Sequence, residues 1–317
     1  MSDRVVSVSV DLDPVECYWR IHAQPGAPPE RARHAILRRC LPRFAELFAK
    51  HAARATFFVV ARDLEEDAEG RSLLAQLARD GHELASHTYS HPYDLVRLAP
   101  DAMAAEIDRA HGLIGACRGD APCGFRAPGY AISRELLDLL RARHYRYDSS
   151  AFPSLAYYGA KAAVMGAMRL AGRKSGSILD TPRVLGAPLA PYFPAADAPY
   201  RRHEAGGAGE LIELPMAVTP IARLPVIGTS LVTAPGWMRR HLVTAALRAP
   251  FFNLELHGID LADAEADEIP PALIAKQPDL RKPLAHKLAA LDETLAAATA
   301  AGARFARLDE VAAAARA

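Results

Sequence analysis

Short apolar runs in this chain end, one after another, on a polar or charged residue, and helix-like stretches separate them. Residues 5–10 are a β-branched run that stops at Asp11. Residues 55–61 form a second run; residues 83–86 lead to His87, 124–125 to Arg126, 145–149 carry Asp148, and 251–256 lead to His257. Between them, residues 32–51 place Ile36, Leu37, Leu41, Phe44, Leu47 and Phe48 at helical spacing, with Pro42 predicting a kink or break. Further helices are expected over 72–79 (stopped by Gly81), 101–117, 136–143 (capped by Ser133) and 283–300, and a last strand over 303–308. Strand–helix alternation of this kind predicts a mostly parallel sheet with helices outside it. Chemistry-bearing residues gathered at strand ends point to an α/β barrel, whose active groups collect at the C-terminal rim.

With 317 residues, half of them hydrophobic, the chain can bury one large core. A single domain over 1–317 is expected. Residues 155–249 are the exception to the pattern: Pro182, Pro188, Pro191, Pro194 and Pro199 interrupt them, and Gly206-Gly207 marks a turn. They read as an elaboration over the substrate side, with short strands at 211–215 and 224–228. Residues 156–170 hold Tyr157, Tyr158, Val164, Met165, Met168 and Leu170, with Lys161, Arg169, Arg173 and Lys174 in or just after them. Two readings fit, a helix packed on the barrel or an amphipathic helix at a membrane interface.

A net charge of +1 without a long basic run argues against a nucleic-acid partner; Arg239-Arg240-His241 reads as a solvated helix face. Four cysteines, Cys17, Cys40, Cys117 and Cys123, match neither a zinc ribbon nor a disulfide framework and are expected as free thiols. The N-terminal run is too short and polar for a secretory segment, and no run is long enough to span a bilayer. A cytoplasmic protein is predicted, with peripheral contact at the inner membrane face as a further expectation.

Asp11 and Asp13, then His87 and His91, carry the chemical argument. An aspartate at a strand end and two histidines four apart form a ligand set for a hydrolytic metal, and three protein ligands leave a position open for water. The histidines converge if the segment is helical, and a tight loop can also bring them together. Asp11 and Asp13, two apart on an extended chain, reach one site, which leaves Asp11 as a general base. Arg126 can pair with Asp11 and keep it ionised. His257 is placed to protonate a leaving group, with Asp148 orienting it. His82 is expected to be structural.

At these residues the chain resembles the NodB-type polysaccharide deacetylases, carbohydrate esterase family 4. Asp11-Leu12-Asp13 resembles that family's base-plus-metal motif in its spaced form. Gly81-His82-Glu83-Leu84-Ala85-Ser86-His87-Thr88-Tyr89-Ser90-His91 resembles the metal-histidine motif and is the most specific signal. Arg126-Ala127-Pro128-Gly129-Tyr130, the 147–153 segment around Asp148-Ser149-Ser150, and Leu254-Glu255-Leu256-His257-Gly258 resemble the arginine, aspartate–serine and final histidine motifs. The resemblance covers residues 5–153 and 250–310. It implies a distorted (β/α) barrel, usually seven-stranded, and metal-dependent removal of an acyl group from an amino sugar. It further implies substrate contacts from Pro128, Tyr130, Ser149 and Ser150, with the Tyr130 backbone N–H and the metal holding the oxyanion.

The expected reaction is removal of an N-acetyl or N-formyl group from an N-acylated sugar, nucleotide sugar or lipid-linked sugar. The divalent metal is expected to be zinc, with Co2+, Ni2+ or Fe2+ compatible with the same ligands. Two rival readings are hydrolysis of a non-sugar C–N bond, as in allantoinase-like relatives of this barrel, and a catalytically silent binding protein. The sequence leaves the acyl group, the sugar and the oligomeric state open.

Overall fold

The structure is a computed structural model that describes residues 4–170, 172, 177–203 and 210–316; Gly206-Gly207, Arg173 and Lys174 lie outside the described residues. Ten strands occur among these: β1 (Val5–Leu12), β2 (Thr56–Val59), β3 (Glu83–Ser86), β4 (Gly124–Phe125), β5 (Tyr147–Asp148), β6 (Pro194–Ala195), β7 (Ala198–Arg202), β8 (Ile212–Glu213), β9 (Phe251–His257) and β10 (Arg304–Phe305). β6 and β7 form a separate antiparallel hairpin. The rest build one parallel sheet that runs β9-β1-β2-β3-β4-β5-β8. β9 pairs with β1 along residues 5–11, so β2 and β10 share the other edge of β1: β2 takes residues 9–12 and β10 residues 5–6. Seven strands thus make a curled half-barrel, the predicted distorted (β/α) barrel, and β10 fills the gap below β2.

Alternation along β1 and β9 explains what the curl encloses. Val6, Val8, Val10 and Leu12 join Phe252, Leu254 and Leu256 in the outer core, packed with Phe44, Leu47 and Phe48 of the Leu41–Lys50 helix. The intervening side chains are absent from that apolar cluster: Ser7, Ser9 and Asp11 on β1, Asn253 and Glu255 on β9, all at most 1% exposed. Successive strand side chains point to opposite faces, so β1 and β9 turn a polar face to the barrel interior and a hydrophobic one outward.

β8 and β9 are not joined by a ladder. The seam between them is closed by the backbone bond from Ala217 N–H to the Asn253 carbonyl (3.0 Å) and by the Asn253 amide, which donates to the Leu214 carbonyl (3.1 Å) and to Ser149 Oγ (3.0 Å). Pairing of Ile227 with Glu255 adds one more bridge.

Several local expectations hold and others need correction. Ser133 Oγ accepts from the Leu136 N–H and caps its helix as predicted. Pro42 produces neither a simple kink nor a stop. Residues Ile36–Cys40 form a π-helical turn in which the Leu41 N–H reaches the Ile36 carbonyl, and a fresh helix begins at Leu41. A proline has no N–H to give and its ring collides with the carbonyl four residues back; the wider turn removes both conflicts. The 155–249 stretch is not all elaboration, because β8 inside it pairs with β5 as the seventh barrel strand. Residues 224–228 form bridges rather than a strand. Arg239 is buried, not solvated, and pairs with Glu293 at 2.5 Å. The Leu155–Leu170 helix has no buried residue, so it is not packed into the barrel core. Among the described residues no helix is long and apolar enough to cross a membrane.

Candidate active site

β1 delivers Asp11 as its penultimate residue, and Asp13 follows one position beyond the strand. β3 ends at Ser86, and the chain then turns sharply to bring His91 back beside His87. The turn is not helical: Thr88 and His91 adopt left-handed backbone (φ 67° and 56°). That conformation is uncommon outside glycine and asparagine, and the loop is held from several sides. Ser90 donates its N–H (2.8 Å) and Oγ (2.7 Å) to Glu106, the His91 N–H donates to Thr88 Oγ1, and Arg20 donates to the Ser90 carbonyl. The tight-loop alternative for the two histidines is therefore the one realised.

The three candidate ligands converge. Asp13 Oδ1 lies 3.3 Å from His87 Nε2 and 3.2 Å from His91 Nε2, and one ligand atom from each residue fits within 4.8 Å of the others. All three residues are at most 3% exposed. Burial alone would raise the Asp13 pKa, but the His91 and His87 rings hold it well below the ordinary carboxylate value. Asp13 Oδ1 and His91 Nδ1 have no hydrogen-bond partner of good geometry, which buried polar atoms seldom tolerate. His87 Nδ1 lies 2.7 Å from the Arg126 carbonyl, which fixes the ring so that Nε2 faces Asp13, the backing common to metal-bound histidines. The set fits a divalent cation.

Asp11 stands beside this cluster with its two oxygens differently employed. Oδ1 accepts from Arg126 Nη1 at 2.5 Å. Oδ2 is buried without a partner, 3.9 Å from His87 Nε2. Arg126 is fully buried and held on every side: Nε donates to the Ser149 carbonyl (2.7 Å), Nη2 to Ser9 Oγ (3.0 Å) and Ser149 Oγ (2.9 Å), and the guanidinium sits 4.1 Å over the Phe58 ring. The expected Asp11–Arg126 pair is present.

His257 ends β9 on the same inner face, with Nε2 4.0 Å from Asp13 Oδ2. Its expected partner is wrong. Asp148 accepts from Ser150 Oγ (2.6 Å) and interacts with Glu213. Burial pushes Asp148 up to about 6, and burial together with the neighbouring Asp148 raises Glu213 well above the ordinary range. The residue that attends His257 is Glu255, whose Oε1 is 2.8 Å from His257 Nδ1 as an ion pair rather than an aligned hydrogen bond. Burial opposes charge on His257, but Glu255, then Asp13 and Asp11, raise its pKa well above the ordinary value. Glu255 was missed because residues 251–256 read as an apolar run. The signal was there: Asn253, Glu255 and His257 recur at period two.

The substrate-side expectations also change. Tyr130 does not offer its backbone amide, since that N–H donates to the Ala127 carbonyl at 3.0 Å. It presents its hydroxyl instead, 3.1 Å from His257 Nε2 and 3.3 Å from Glu255 Oε1. Ser149 and Ser150 are fully buried and serve as struts. Ser149 supports Arg126, and Ser150 Oγ accepts from the Ala127 N–H (2.8 Å) while donating to Asp148. Pro128 is buried and does not border the cavity. His82 is structural as expected: Nδ1 accepts from the Ala55 N–H (3.0 Å). The four cysteines are free.

A cavity of about 720 Å³ opens over the cluster, reaching Asp11, Asp13, His87, His91, Tyr130 and His257 at its floor.

Comparison with known proteins places this geometry in context. Residues 33–147 match the family model described as polysaccharide deacetylase. A chitin deacetylase of Arthroderma benhamiae is 34% identical over 89 residues, 28% of this chain and 24% of that protein. A chitooligosaccharide deacetylase of a Bradyrhizobium species is 34% identical over 90 residues, 28% of this chain and 39% of that protein. The matches therefore span well under half of these curated relatives. Among solved structures, a putative polysaccharide deacetylase from Mycobacterium smegmatis aligns with a TM-score of 0.62 at 18% identity, covering 100% of this chain and 91% of its own. A probable polysaccharide deacetylase from Pseudomonas aeruginosa gives 0.57 at 14%, covering 98% and 90%. These two likenesses are of fold.

Proposed function

We propose, for a chain that belongs to the NodB-type polysaccharide deacetylase family, that it is a metal-dependent hydrolase removing an N-acyl group, acetyl or formyl, from an amino sugar or its conjugate. The observation that carries this reading is the free Asp11 Oδ2 beside the Asp13–His87–His91 cluster, with Arg126 on the opposite oxygen. Asp13, His87 and His91 would hold the metal, with zinc the first expectation for an Asp/His₂ set and Co2+, Ni2+ or Fe2+ suited to the same donors. A divalent cation bound there acidifies a water and polarises the acyl carbonyl.

The chain's own residues supply the proton handling. Asp11, kept ionised by Arg126, takes the water's proton on Oδ2. His257, held protonated by Glu255, gives a proton to the departing amine from Nε2. Tyr130, within hydrogen-bonding distance of both His257 and Glu255, fixes the imidazole's orientation. N-acetylated sugars are the substrate class supported by the likeness to chitin and chitooligosaccharide deacetylases; nucleotide-linked and lipid-linked forms, and a cytoplasmic or membrane-peripheral setting, are further parts of the proposal.

The test is incubation with N-acetylated and N-formylated sugars, free, nucleotide-linked and lipid-linked, with proton NMR for released acetate or formate. Release that disappears in Asp11→Asn and His91→Ala supports the reading. Release that survives Asp11→Asn removes the base role.

A further inference from the structure

The Leu155–Leu170 helix sends one stripe of its surface into the active-site cavity. Ala156, Ala160, Val164 and Met168, four apart, line the cavity, with Met165 in the neighbouring row. Positions four apart stack on one helix face. From Ala156 to Met168 the stripe runs about 18 Å at a 1.5 Å rise per residue. It starts at the catalytic end: the Tyr157 ring is 6.0 Å from that of Tyr130, which touches His257. It then leads away from the reacting groups. Lys161, the one charged side chain in the stripe, donates to the Gly129 carbonyl (3.1 Å) and so helps pin the helix.

Such a wall is unusual for a helix in water. It has no buried residue, and Val164 and Leu170 are 60% and 92% exposed. The rest of the cavity lining includes Ile21, Ile227 and Ile259 together with polar Thr229, Ser230, Lys276 and Gln277. The stripe beyond Tyr157 offers a sugar ring no free hydrogen-bonding side chain among the described residues, whereas methionines adapt to flexible apolar ligands. The metal-ligand and proton-transfer candidates lie at the Tyr157 end of the helix, and the apolar stripe extends from there along the cavity wall.

We infer that the cavity accepts an amphipathic substrate, an N-acyl amino sugar joined to a hydrocarbon chain, with the acyl group at the Asp11–His257 end and the chain along Ala160, Val164 and Met168. This inference rests on the deacylase reading for the headgroup and deepens it by naming the aglycone. Its occupant is a single lipid-like tail rather than a second sugar of a polymer.

The test separates the tail from the chemistry by using ligands that lack an acyl group and so cannot be turned over: octyl and methyl β-D-glucoside, titrated calorimetrically into the full chain below the detergent's micelle concentration. Burying a methylene is worth roughly fourfold in affinity, so if about half of octyl's extra methylenes lie against the stripe, octyl should bind about a hundredfold tighter than methyl, with one site per chain. Val164→Asp, at a largely exposed position, should weaken octyl binding at least tenfold, and Met168→Gln should weaken it in the same direction. Equal binding of the two glucosides, or octyl binding indifferent to both substitutions, overturns the inference. Octyl binding at many sites per chain, insensitive to Val164→Asp, identifies a general detergent or membrane-contact surface and overturns it too. Failure of the deacylase reading shows up separately, as absence of released acetate or formate.

Discussion

Glu255 Oε1 lies 2.8 Å from His257 Nδ1, two positions back on the same strand and on the same inner face. The strand's period makes the partnership: a side chain that faces inward at 257 is matched by one facing inward at 255. Removing the charge lowers the imidazole pKa, because Glu255 is the leading contribution that raises it against burial. Glu255→Gln should therefore move the alkaline limb of the pH–rate profile to lower pH and reduce kcat about 10- to 100-fold. Glu255→Asp should recover part of both. A pH–rate profile for the two variants checks this; an unmoved alkaline limb would show that Glu255 is only structural.

Arg126 and Asp11 form a buried pair, and breaking such a pair leaves an uncompensated charge. Arg126→Met should destabilise the protein by roughly 3–5 kcal/mol. Adding Asp11→Asn to that variant should restore a good part of the loss, because the orphaned charge goes with it. Urea unfolding of the single and double variants measures the coupling.

Stripping divalent metal by dialysis against a chelator should abolish deacylation and lower the melting temperature. Returning metal at about a hundredfold over its Kd should restore about 2.7 kcal/mol of stability. His91→Ala should lose that return while keeping its fold. Differential scanning calorimetry with and without added Zn2+ reads the effect independently of turnover.

Glu83, at the start of β3, lies at the other end of the barrel. It accepts from Thr56 Oγ1 (2.7 Å) and the Tyr147 hydroxyl (2.9 Å), yet burial, helped by Asp309, pushes its pKa up to about 7 from 4.5. Between those values the folded protein holds a proton that the unfolded chain has released. Stability attributable to Glu83 therefore falls as pH rises from about 4.5 to about 7, then levels off. Glu83→Gln should remove that slope, so the difference in unfolding free energy between variant and parent should shift in the variant's favour by 1–3 kcal/mol, on the order expected for such a shift, between pH 4.5 and pH 8. Parallel slopes for the two proteins would refute the assignment.

The arc from β1 to β5 and most of the site were legible in the sequence, because strand ends and motif residues coincide there: Asp11, Asp13, His87, His91, Arg126 and His257 all meet as read. What was not legible depended on side chains reaching across strands. Asp148 sits at the expected place but stands beside Glu213, its register partner on β8, and only the fold brings the two together. Ser149 and Ser150, just beyond β5, belong to a motif yet are buried as supports, Ser149 against Arg126 and Ser150 between Asp148 and the Ala127 N–H. The Tyr130 amide was lost to a local turn with Gly129 in left-handed backbone (φ 69°), which closes on Ala127. β8 lies within the short strand read over 211–215, but its place in the barrel beside β5 was not legible, because two paired residues carry no pattern that names their partner.

The seam between β8 and β9 divides the molecule into parts with different freedoms. A ring closed by ladders has its girth set by strand number and stagger. Here the last gap is spanned mainly by the Asn253 amide and one backbone bond. Asp11, Asp13, His87, Arg126 and His257 sit on or just beyond strands of the continuous arc from β9 through β5, while residues 155–203 lie in the connection between β5 and β8 and, among the described residues, contribute no strand to that arc. The width and lining of the pocket can therefore be altered by exchanging residues 155–203 without touching a ladder of that arc, so what enters the site can change while the strand register beneath Asp11, His87 and His257 stays fixed.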